Sequence, residues 1–418
     1  MLSLVIMQNK QEHSTAVHTA CCCGPYPSLD LTKAFNSNED DLKDLKNEAI
    51  AACERFGCFH VTISPSEIDS DCNDINILSN SDLVKQSFDR IFDDDFIRRQ
   101  TEGNAIASVP SRMRDGSATA AKYRGRAAES GSTTGLEPKR SWEVFRCRKG
   151  LSNTLSSEPP CDELSILHDY ARVFHEVTVC LFSKVLDLPE NFVDANTCKC
   201  NCTQSDECLC TMDLLRAFQY DALQNSDFAE ANLGSSPHTD WGSLTVVWQD
   251  SKGGLQIYCH EHEKWNNVEV PDEIRDGTVR LFIHVGDFTS LALSQTLSSS
   301  EQVIWPSPLH RVICPLQPDK PDAKTGNDTR CSLVYFAYPP KGCSLDDSQR
   351  YVRNQMGVGK KEFKKVEFSS FPYDRYMVLN DQSPGSGTAP SKEEVFHRIQ
   401  KIPFHKVIEA KWQEVQRT

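Results

Sequence analysis

Apolar residues in the first half of the chain recur every three or four positions, which is the spacing of an amphipathic helix. Residues 38–56 follow this pattern, with acidic residues in the first turn and Gly57 directly after the last one, so we predict a helix that ends at this glycine. Residues 81–92 and 162–186 have the same periodicity and are predicted to form two further helices. The apolar stripe of the third helix, which we expect to be buried, consists of Leu164, Leu167, Tyr170, Phe174, Leu181 and Val185.

Short β-branched and apolar runs dominate the second half and predict strands. Residues 243–248 form one such run, and residues 253–258 have the pattern of a glycine turn followed by a second strand. Residues 238–258 are therefore predicted to form a hairpin. Residues 310–313 and 330–338 are two more strand-like runs, so the second half of the chain is expected to be mainly β.

Two histidines and an aspartate stand beside these predicted strands. His238 and Asp240 lie two positions apart at a strand end, where both side chains can point to the same side, and His310 opens another strand. Two imidazoles and one carboxylate can occupy one face of an Fe(II) octahedron, which leaves three positions for a chelating cosubstrate and dioxygen. A His-x-Asp pair alone is more often a solvated loop or a hydrogen-bonded histidine. His260 and His262, in a charged segment after a strand, are expected in a solvated turn.

Arg330 and Ser332 form a second motif that strengthens the metal hypothesis. In a strand these two side chains share one face, while Cys331 points away. A guanidinium group beside a hydroxyl suits a carboxylate ligand, because the guanidinium donates two charge-assisted hydrogen bonds and the hydroxyl donates a third. An isolated arginine of this kind would more often lie on a solvated strand face. Here it follows the two groups of candidate metal ligands in the chain.

Six segments together resemble the iron(II)/2-oxoglutarate-dependent dioxygenases of the isopenicillin N synthase-like family. They run from a helix that leads through a glycine into a strand to the Arg-x-Ser strand, and comprise residues 51–61, 238–245, 253–256, 285–287, 309–312 and 330–333. The resemblance implies a mainly β protein with flanking helices. Its core would be a double-stranded β-helix, or jelly roll, with a helical N-terminal region and with metal and cosubstrate between the two sheets.

The resemblance also implies roles for individual residues. His238, Asp240 and His310 would bind Fe(II), and no catalytic residue beyond these ligands is implied. Arg330 and Ser332 would hold the distal carboxylate of 2-oxoglutarate. Tyr220 would add a third contact to this cosubstrate, although the sequence departs from the family around it: Phe218 replaces the usual asparagine and Asp221 the usual proline.

The implied activity is oxidation of a small organic substrate by dioxygen, through hydroxylation or desaturation, with release of succinate and CO2 from 2-oxoglutarate. Trp241 and Phe336 could be walls of the substrate pocket or could belong to the core. Two alternatives stay open. One is an iron oxidase of the same fold that does not use 2-oxoglutarate, and the other is a non-catalytic binding protein on this scaffold.

Composition narrows the partners and the location of the protein. The net charge of −14 argues against a nucleic-acid partner, which would require a basic face. No stretch approaches 18 apolar residues, so we expect no membrane span. We therefore expect a cytoplasmic monomer that acts on a small molecule.

The motifs suggest one catalytic unit with additions. We predict a disordered tail, an N-terminal dioxygenase region with a mobile loop inside it, a cysteine-rich insertion, the Fe(II)/2-oxoglutarate jelly-roll core, and a C-terminal extension with a helix. The respective boundaries are residues 1–28, 29–195 (loop 103–135), 196–210, 211–345 and 346–418 (helix 392–416).

The chain has 18 cysteines, which we expect to be reduced because no secretory signal is evident. Five of them crowd the insertion, at positions Cys198, Cys200, Cys202, Cys208 and Cys210. Their C-x-C spacing resembles a zinc-binding clip. A flexible insertion without metal and a redox-sensitive loop are the alternatives, and we favour the insertion without metal.

Overall fold

The structure is a computed structural model, and it describes the regular elements around the predicted site. The described residues are 25–36, 42–68, 73–101, 122–124, 139–145, 161–186, 188, 213–223, 233–270, 277–293, 305–316, 329–340, 342–345 and 401–407. The cysteine-rich insertion lies outside them, as do the predicted mobile loop apart from residues 122–124 and the C-terminal extension apart from residues 401–407. The predictions for these segments therefore remain predictions.

The N-terminal part of the described chain contains both helices and strands. In chain order these are β1 (Ser28–Asp30), α1 (Thr32–Asn36), α2 (Lys43–Phe56), β2 (Cys58–Ile63), α3 (Ser81–Ile91), α4 (Asp94–Thr101), β3 (Lys122–Arg124), β4 (Lys139–Phe145) and α5 (Cys161–Cys180), which continues as a π-helical turn, Leu181–Val185. Two short 3₁₀ helices, Pro65–Glu67 and Asn73–Leu78, lie between β2 and α3.

The second part is mainly β. Its elements are β5 (Leu214–Tyr220), β6 (Leu233–His238), β7 (Leu244–Gln249), β8 (Leu255–Cys259), β9 (Lys264–Asn267), β10 (Val279–Val285), α6 (Asp287–Leu293), β11 (His310–Ile313) and β12 (Arg330–Ala337). The strands at 310–313 and from 330 onwards begin where the sequence predicted them.

The strands form two sheets that face each other. The large sheet has the order β1-β2-β10-β7-β12-β5-β4-β3, and the small sheet has the order β6-β11-β8-β9. A hydrophobic cluster joins them: it takes Phe218, Val247 and Phe282 from the large sheet and Ile257 and Val312 from the small one. This arrangement of two sheets around one core is a jelly roll. We call the side of the large sheet that carries Phe218, Val247 and Phe282 its inner face.

The main hydrophobic core lies on the other side of the large sheet, where the helices pack. All six residues of the stripe predicted for the third helix are buried there. Gly57 ends α2 with a left-handed φ of 67°, and its N–H donates to the carbonyl of Cys53 at 3.0 Å, as predicted for a helix stop. None of the described helices is long and apolar enough to cross a membrane.

The predicted hairpin over residues 238–258 is wrong. The strands β7 and β8 lie in different sheets: β7 pairs with β10 and β12, while β8 pairs with β11 and β9. Five of the six residues of β7 are buried, which is typical of a central strand with neighbours on both edges. Gly253 and Gly254 both have positive φ, 65° and 92°, and the turn that they form carries the chain from one sheet to the other.

The predicted C-terminal helix is described only over residues 401–407. Its Phe404 is buried, with its ring centroid 5.1 Å from that of Phe288 in α6 and 5.7 Å from that of Tyr338 after β12. The N–H of Phe404 also donates to the carbonyl of Cys343 at 2.8 Å. This segment therefore docks on the jelly roll, as the sequence suggested for the helix.

Candidate metal centre

The structure brings His238, Asp240 and His310 together at one end of the small sheet. His238 ends β6, His310 begins the neighbouring strand β11, and the two are Cα partners in this antiparallel pair. Oδ1 of Asp240 lies 3.6 Å from Nε2 of His238 and 3.8 Å from Nε2 of His310. One carboxylate oxygen and two imidazole nitrogens thus surround one point. Within the part of the chain that the structure describes, no other His, Cys, Asp or Glu group is arranged to hold a metal ion.

Backbone carbonyls orient both imidazoles. Nδ1 of His238 lies 2.7 Å from the carbonyl oxygen of Ser236, and Nδ1 of His310 lies 3.0 Å from that of Pro308. A carbonyl oxygen only accepts hydrogen bonds, so each Nδ1 carries the proton and each Nε2 keeps a lone pair. Hydrogen bonds of this kind fix the tautomer and the orientation of histidines that bind metals.

The electrostatics of the site favour the protonation states that a cation requires. Burial is the main cause that lowers the pKa of His238 to about 4, so its imidazole is neutral at neutral pH. Burial alone would raise the pKa of Asp240, but the neighbouring histidines and a hydrogen bond from Thr245 together lower it below the ordinary value. Neutral imidazoles and an ionised carboxylate can bind a metal ion without first losing a proton.

Close backbone contacts fix the loop that carries Asp240. The N–H of Asp287 donates to the carbonyl of Asp240 at 2.7 Å, and the N–H of Gly286 donates to that of Ser243 at 3.1 Å. A Cβ at Gly286 would collide with the carbonyl oxygen of Gly242. The glycine of the motif Val285-Gly286-Asp287 is thus explained by the close approach of the start of α6 to this loop.

Arg330 is held rigidly on the inner face of the large sheet. It is 2% exposed, and it donates through Nε to the carbonyl of Gly253, through Nη1 to Oγ of Ser332 at 3.2 Å and through Nη2 to Oε1 of Gln249 at 3.1 Å. A Cβ at Gly254 would lie 3.3 Å from Nε of Arg330 and 2.5 Å from the carbonyl oxygen of Ile313. The Gly-Gly turn therefore makes room for the guanidinium group.

Tyr220 lies beside Arg330, so the three predicted cosubstrate contacts are neighbours. It is the Cα partner of Arg330 in the β5–β12 pair, and the guanidinium carbon lies 4.7 Å from the centroid of its ring. Ser332 is the Cα partner of Phe218 in the same pair, which puts both on the inner face with Arg330.

Sequence reasoning missed Lys139, a buried lysine next to this cluster. It is 6% exposed and is the Cα partner of Tyr220 in the β4–β5 pair, so Lys139 and Arg330 flank Tyr220 on either side. Its Nζ donates to Oγ of Ser235 in β6 at 3.3 Å and so links the two sheets. The sequence signal for Lys139 was the polar residues at positions 139, 141 and 143, which alternate as in a strand. The neighbouring loop residues made this pattern hard to recognise.

A buried ion pair lies further along the same face. Nε of Arg216 is 2.8 Å from Oε1 of Glu143, and the side chains are 9% and 0% exposed. The guanidinium carbon of Arg216 lies 5.7 Å from the ring centroid of Phe336. The surroundings of this predicted pocket wall are therefore charged as well as apolar.

Trp241 and Phe336, the two residues predicted to line the substrate pocket, both lie near the metal site. Trp241 is near it in the sequence, and Phe336 is near it in the large sheet. Trp241 directly follows Asp240, and Phe336 is the Cα partner of Thr245 in the β12–β7 pair. Both side chains are half-buried and pack against the main core. His260 and His262 are exposed in the turn between β8 and β9, as predicted.

A third histidine near the centre, His284, was also missed. It lies in β10, its side chain is 2% exposed, and burial is the main cause that lowers its pKa to about 3. Its Nε2 lies 3.5 Å from Oδ2 of Asp240, the carboxylate oxygen that also accepts a hydrogen bond from Oγ1 of Thr245 at 2.6 Å.

Comparison with known proteins agrees with this geometry. Residues 212–339 match the family model of the 2OG-Fe(II) oxygenase superfamily. The chain is 28% identical over 181 residues to the 2-oxoglutarate-dependent dioxygenase frbA of Dothideomycetidae sp. (strain 11243). The aligned region covers 43% of this chain and 47% of the relative. It is 31% identical over 116 residues to the 2-oxoglutarate-dependent dioxygenase htyE of Aspergillus rugulosus, which covers 28% of this chain and 31% of that protein. The chain thus spans less than half the length of these curated relatives.

A solved structure shares the fold over a longer region. A full-length protein of Neurospora crassa, crystallised in complex with alpha-KG, superimposes with a TM-score of 0.51 at 15% identity, covering 80% of this chain and 96% of that one. At this identity the likeness concerns the fold alone.

The match to the 2OG-Fe(II) oxygenase superfamily extends over residues 212–339, the part of the chain that carries the candidate ligands His238, Asp240 and His310. The predicted resemblance to Fe(II)/2-oxoglutarate dioxygenases is confirmed at this level, and so are the two predicted cofactors. The donor set of two imidazoles and one carboxylate fits Fe(II).

Proposed function

We propose that this protein is an Fe(II)- and 2-oxoglutarate-dependent dioxygenase that hydroxylates or desaturates a small organic substrate. The observation that carries the proposal is the meeting of Nε2 of His238, Nε2 of His310 and Oδ1 of Asp240 around one point. Fe(II) held by these three residues would keep coordination positions free for the cosubstrate and dioxygen.

Fe(II) and 2-oxoglutarate, when bound, supply the oxidising power: 2-oxoglutarate is converted to succinate and CO2, and the second oxygen atom of dioxygen ends in the hydroxylated product or in water. The protein holds both groups and keeps the site dry. His238 and His310 act as neutral donors through their fixed tautomers, and Asp240 provides the negative charge.

Arg330 and Ser332 bind the distal carboxylate of 2-oxoglutarate in this proposal. Gly253 and Gln249 hold the guanidinium plane, and Nη1 lies beside the Ser332 hydroxyl, to which it donates at 3.2 Å. Because Arg330 is almost fully buried, its attraction for a carboxylate is screened little by water. Tyr220, against the guanidinium face, completes this end of the cosubstrate site.

Lys139 favours a dianionic cosubstrate over a neutral one. It is a second buried cation on the inner face, on the other side of Tyr220 from Arg330. Two neighbouring cations on this face attract a dicarboxylate, which carries two negative charges, more strongly than they attract a ligand with one charge or none. This observation favours the 2-oxoglutarate-dependent reaction over an oxidase without that cosubstrate.

We place the substrate beside Trp241 and Phe336. Phe336 lies on this side of the centre because it is the Cα partner of Thr245. The Arg216–Glu143 pair near Phe336 would meet a polar group of the substrate. A wall that combines an aromatic ring with a buried charge pair suits a small, polar organic molecule better than a hydrocarbon.

The test is to load the purified protein with Fe(II) under anaerobic conditions, add 2-oxoglutarate and dioxygen, and measure succinate with and without a pool of small metabolites. Succinate formation that the pool stimulates, and that Asp240→Ala abolishes, supports the proposal. Oxygen uptake without succinate would identify an oxidase that does not use 2-oxoglutarate. Absence of both reactions would point to a non-catalytic protein.

A further inference from the structure

His284 is a buried group beside the metal ligands for which the proposed reaction has no role. Its Nε2 lies 3.5 Å from Oδ2 of Asp240, and its ring centroid lies 4.6 Å from that of His310. Thr245 is its Cα partner in the β10–β7 pair, so two neighbouring strands direct two donors at the same carboxylate oxygen.

The orientation of His284 is that of a hydrogen-bond donor and not of a metal ligand. Its Nε2 faces a carboxylate oxygen and therefore carries the proton, whereas His238 and His310 carry theirs on Nδ1. The nitrogen also points at Oδ2, while the two candidate ligands face Oδ1. Consistently, His284 is not part of the group of side chains that could share a metal ion.

A purely structural role accounts poorly for a histidine at this position. Nδ1 of His284 is buried without a hydrogen-bond partner among the described residues. A buried polar atom in this state lowers the stability of the folded protein. An aromatic or aliphatic side chain would fill the same space without that cost, so the N–H directed at Asp240 is the feature that distinguishes histidine here.

We propose that His284 is a positioning residue for the metal centre. Together with Thr245 it occupies the lone pairs of Oδ2, so that Asp240 presents only Oδ1 to the metal and remains a monodentate ligand. If both oxygens bound Fe(II), the carboxylate would occupy one of the three positions that 2-oxoglutarate and dioxygen require. This inference rests on the proposed function and specifies how the third position is kept open.

The experiment compares His284→Phe, which keeps a ring of similar size but has no N–H, with His284→Gln, which keeps an N–H donor. Phe282→Leu is the matched control, because it removes a ring on the same face of β10, with its centroid 6.3 Å from that of His284, and keeps the His284 N–H. For each full-length protein, three quantities are measured: anaerobic Fe(II) affinity, the visible charge-transfer absorption that appears when 2-oxoglutarate chelates bound Fe(II), and the thermal unfolding temperature.

We expect His284→Phe to lower Fe(II) affinity by about 10- to 100-fold, as is typical when a residue that orients a ligand is lost. The same variant should weaken the chelate absorption. His284→Gln should restore both quantities to near the wild-type values. Phe282→Leu should lower the unfolding temperature and leave both quantities unchanged.

Wild-type affinity and full absorption in His284→Phe would overturn the proposal, and so would a glutamine variant that behaves like the phenylalanine variant. If His284→Phe does not fold, the comparison of His284→Gln with Phe282→Leu still decides, because a loss of absorption in the glutamine variant contradicts donation through an N–H. A wild-type protein that binds neither Fe(II) nor 2-oxoglutarate would instead refute the proposed function itself.

Discussion

His238 and His310 face each other across two hydrogen-bonded strands, with their ring centroids 4.3 Å apart. The separation of the two imidazoles is therefore set by strand register in the small sheet, and each ring is locked by a carbonyl two residues before it in the chain. Asp240, in contrast, lies in the loop after β6 and depends on contacts with β7, β10 and α6. The effects of substitutions on metal binding should therefore differ more from one another around Asp240 than around the two histidines.

Replacing Asp240 by alanine should weaken Fe(II) binding by at least about 100-fold, which exceeds the 10- to 100-fold loss typical of residues that only orient a ligand. The reason is that Asp240 is the one anionic member of the candidate ligand group. Anaerobic Fe(II) titration measures the effect. Asp213→Asn is the control, since Asp213 is an equally buried aspartate that bonds Tyr335 and the backbone of Tyr338. It should reduce stability and leave iron affinity intact; equal affinities in both variants would refute the assigned ligands.

Arg330→Lys should raise the apparent KM for 2-oxoglutarate strongly and leave Fe(II) affinity nearly unchanged. Lysine keeps the charge but loses the planar fork that Gly253 and Gln249 hold in place. Ser332→Ala should have a smaller effect, about 1 kcal/mol or about fivefold, as expected for one hydrogen bond. Steady-state kinetics with varied 2-oxoglutarate give the order of the two effects. An unchanged dependence on 2-oxoglutarate in Arg330→Lys would favour the oxidase.

The metal-free protein should lose stability as the pH falls from about 6.5 towards 4. Burial is the main cause that lowers the pKa of His60 and His238 to about 4 and that of His284 to about 3. An unfolded histidine titrates near about 6.5, so below that pH the unfolded chain binds more protons than the native one, and the balance shifts to unfolding.

The unfolding temperature of the metal-free protein, measured between about pH 7.5 and about pH 5, tests this expectation. The variant His60→Phe isolates one histidine: it should reduce the loss of stability between the two pH values. His60 is suitable because it lies outside the metal group, and Arg280 also contributes to its lowered pKa. The same pH dependence in His60→Phe and wild type would contradict the assignment.

Glu143→Gln should destabilise the protein by about 3–5 kcal/mol, because it leaves the buried Arg216 guanidinium without the carboxylate beside it. The double replacement Glu143→Leu with Arg216→Met should be closer to wild type, since it removes both buried charges. Denaturant unfolding of the two variants checks the difference. Equal stabilities for the single and double variants would show that the pair is not coupled.

Deletion of residues 197–209 should leave oxygen uptake in place, since this cysteine-rich segment lies outside every motif of the site. Zinc content is measured on the same samples. Loss of activity together with loss of bound zinc would show that the segment is a structural metal clip.

The parts of the site that could be predicted are those encoded within a few residues. Arg-x-Ser places two side chains on one strand face through the period of two, and in His-x-Asp the aspartate follows the last residue of a strand by two positions, so both spacings are visible in the sequence. Lys139 and His284 reach the centre through pairing with strands far away in the chain, β4 with β5 and β10 with β7. Such pairing depends on strand order, which local patterns do not contain.

The same limit explains the wrong hairpin. A Gly-Gly turn between two apolar runs is compatible with two strands of one sheet and with a crossing between two sheets. The choice is made by β10 and β12, which occupy both edges of β7 and so exclude β8 from it. The helices were predictable because their signal is local: a 3.6-residue period and, for α2, a glycine stop.

Lys139 connects the N-terminal part of the chain with the part that carries the candidate metal ligands. It comes from β4, far before the region that matches the superfamily, yet it bonds Ser235 in the strand that ends at His238. A fragment trimmed to residues 211–345 would keep the candidate iron ligands and Arg330 but would lack β4 at the edge of β5. Anyone who truncates this protein for crystals, or who grafts its centre onto another scaffold, should therefore keep the chain from β4 onwards.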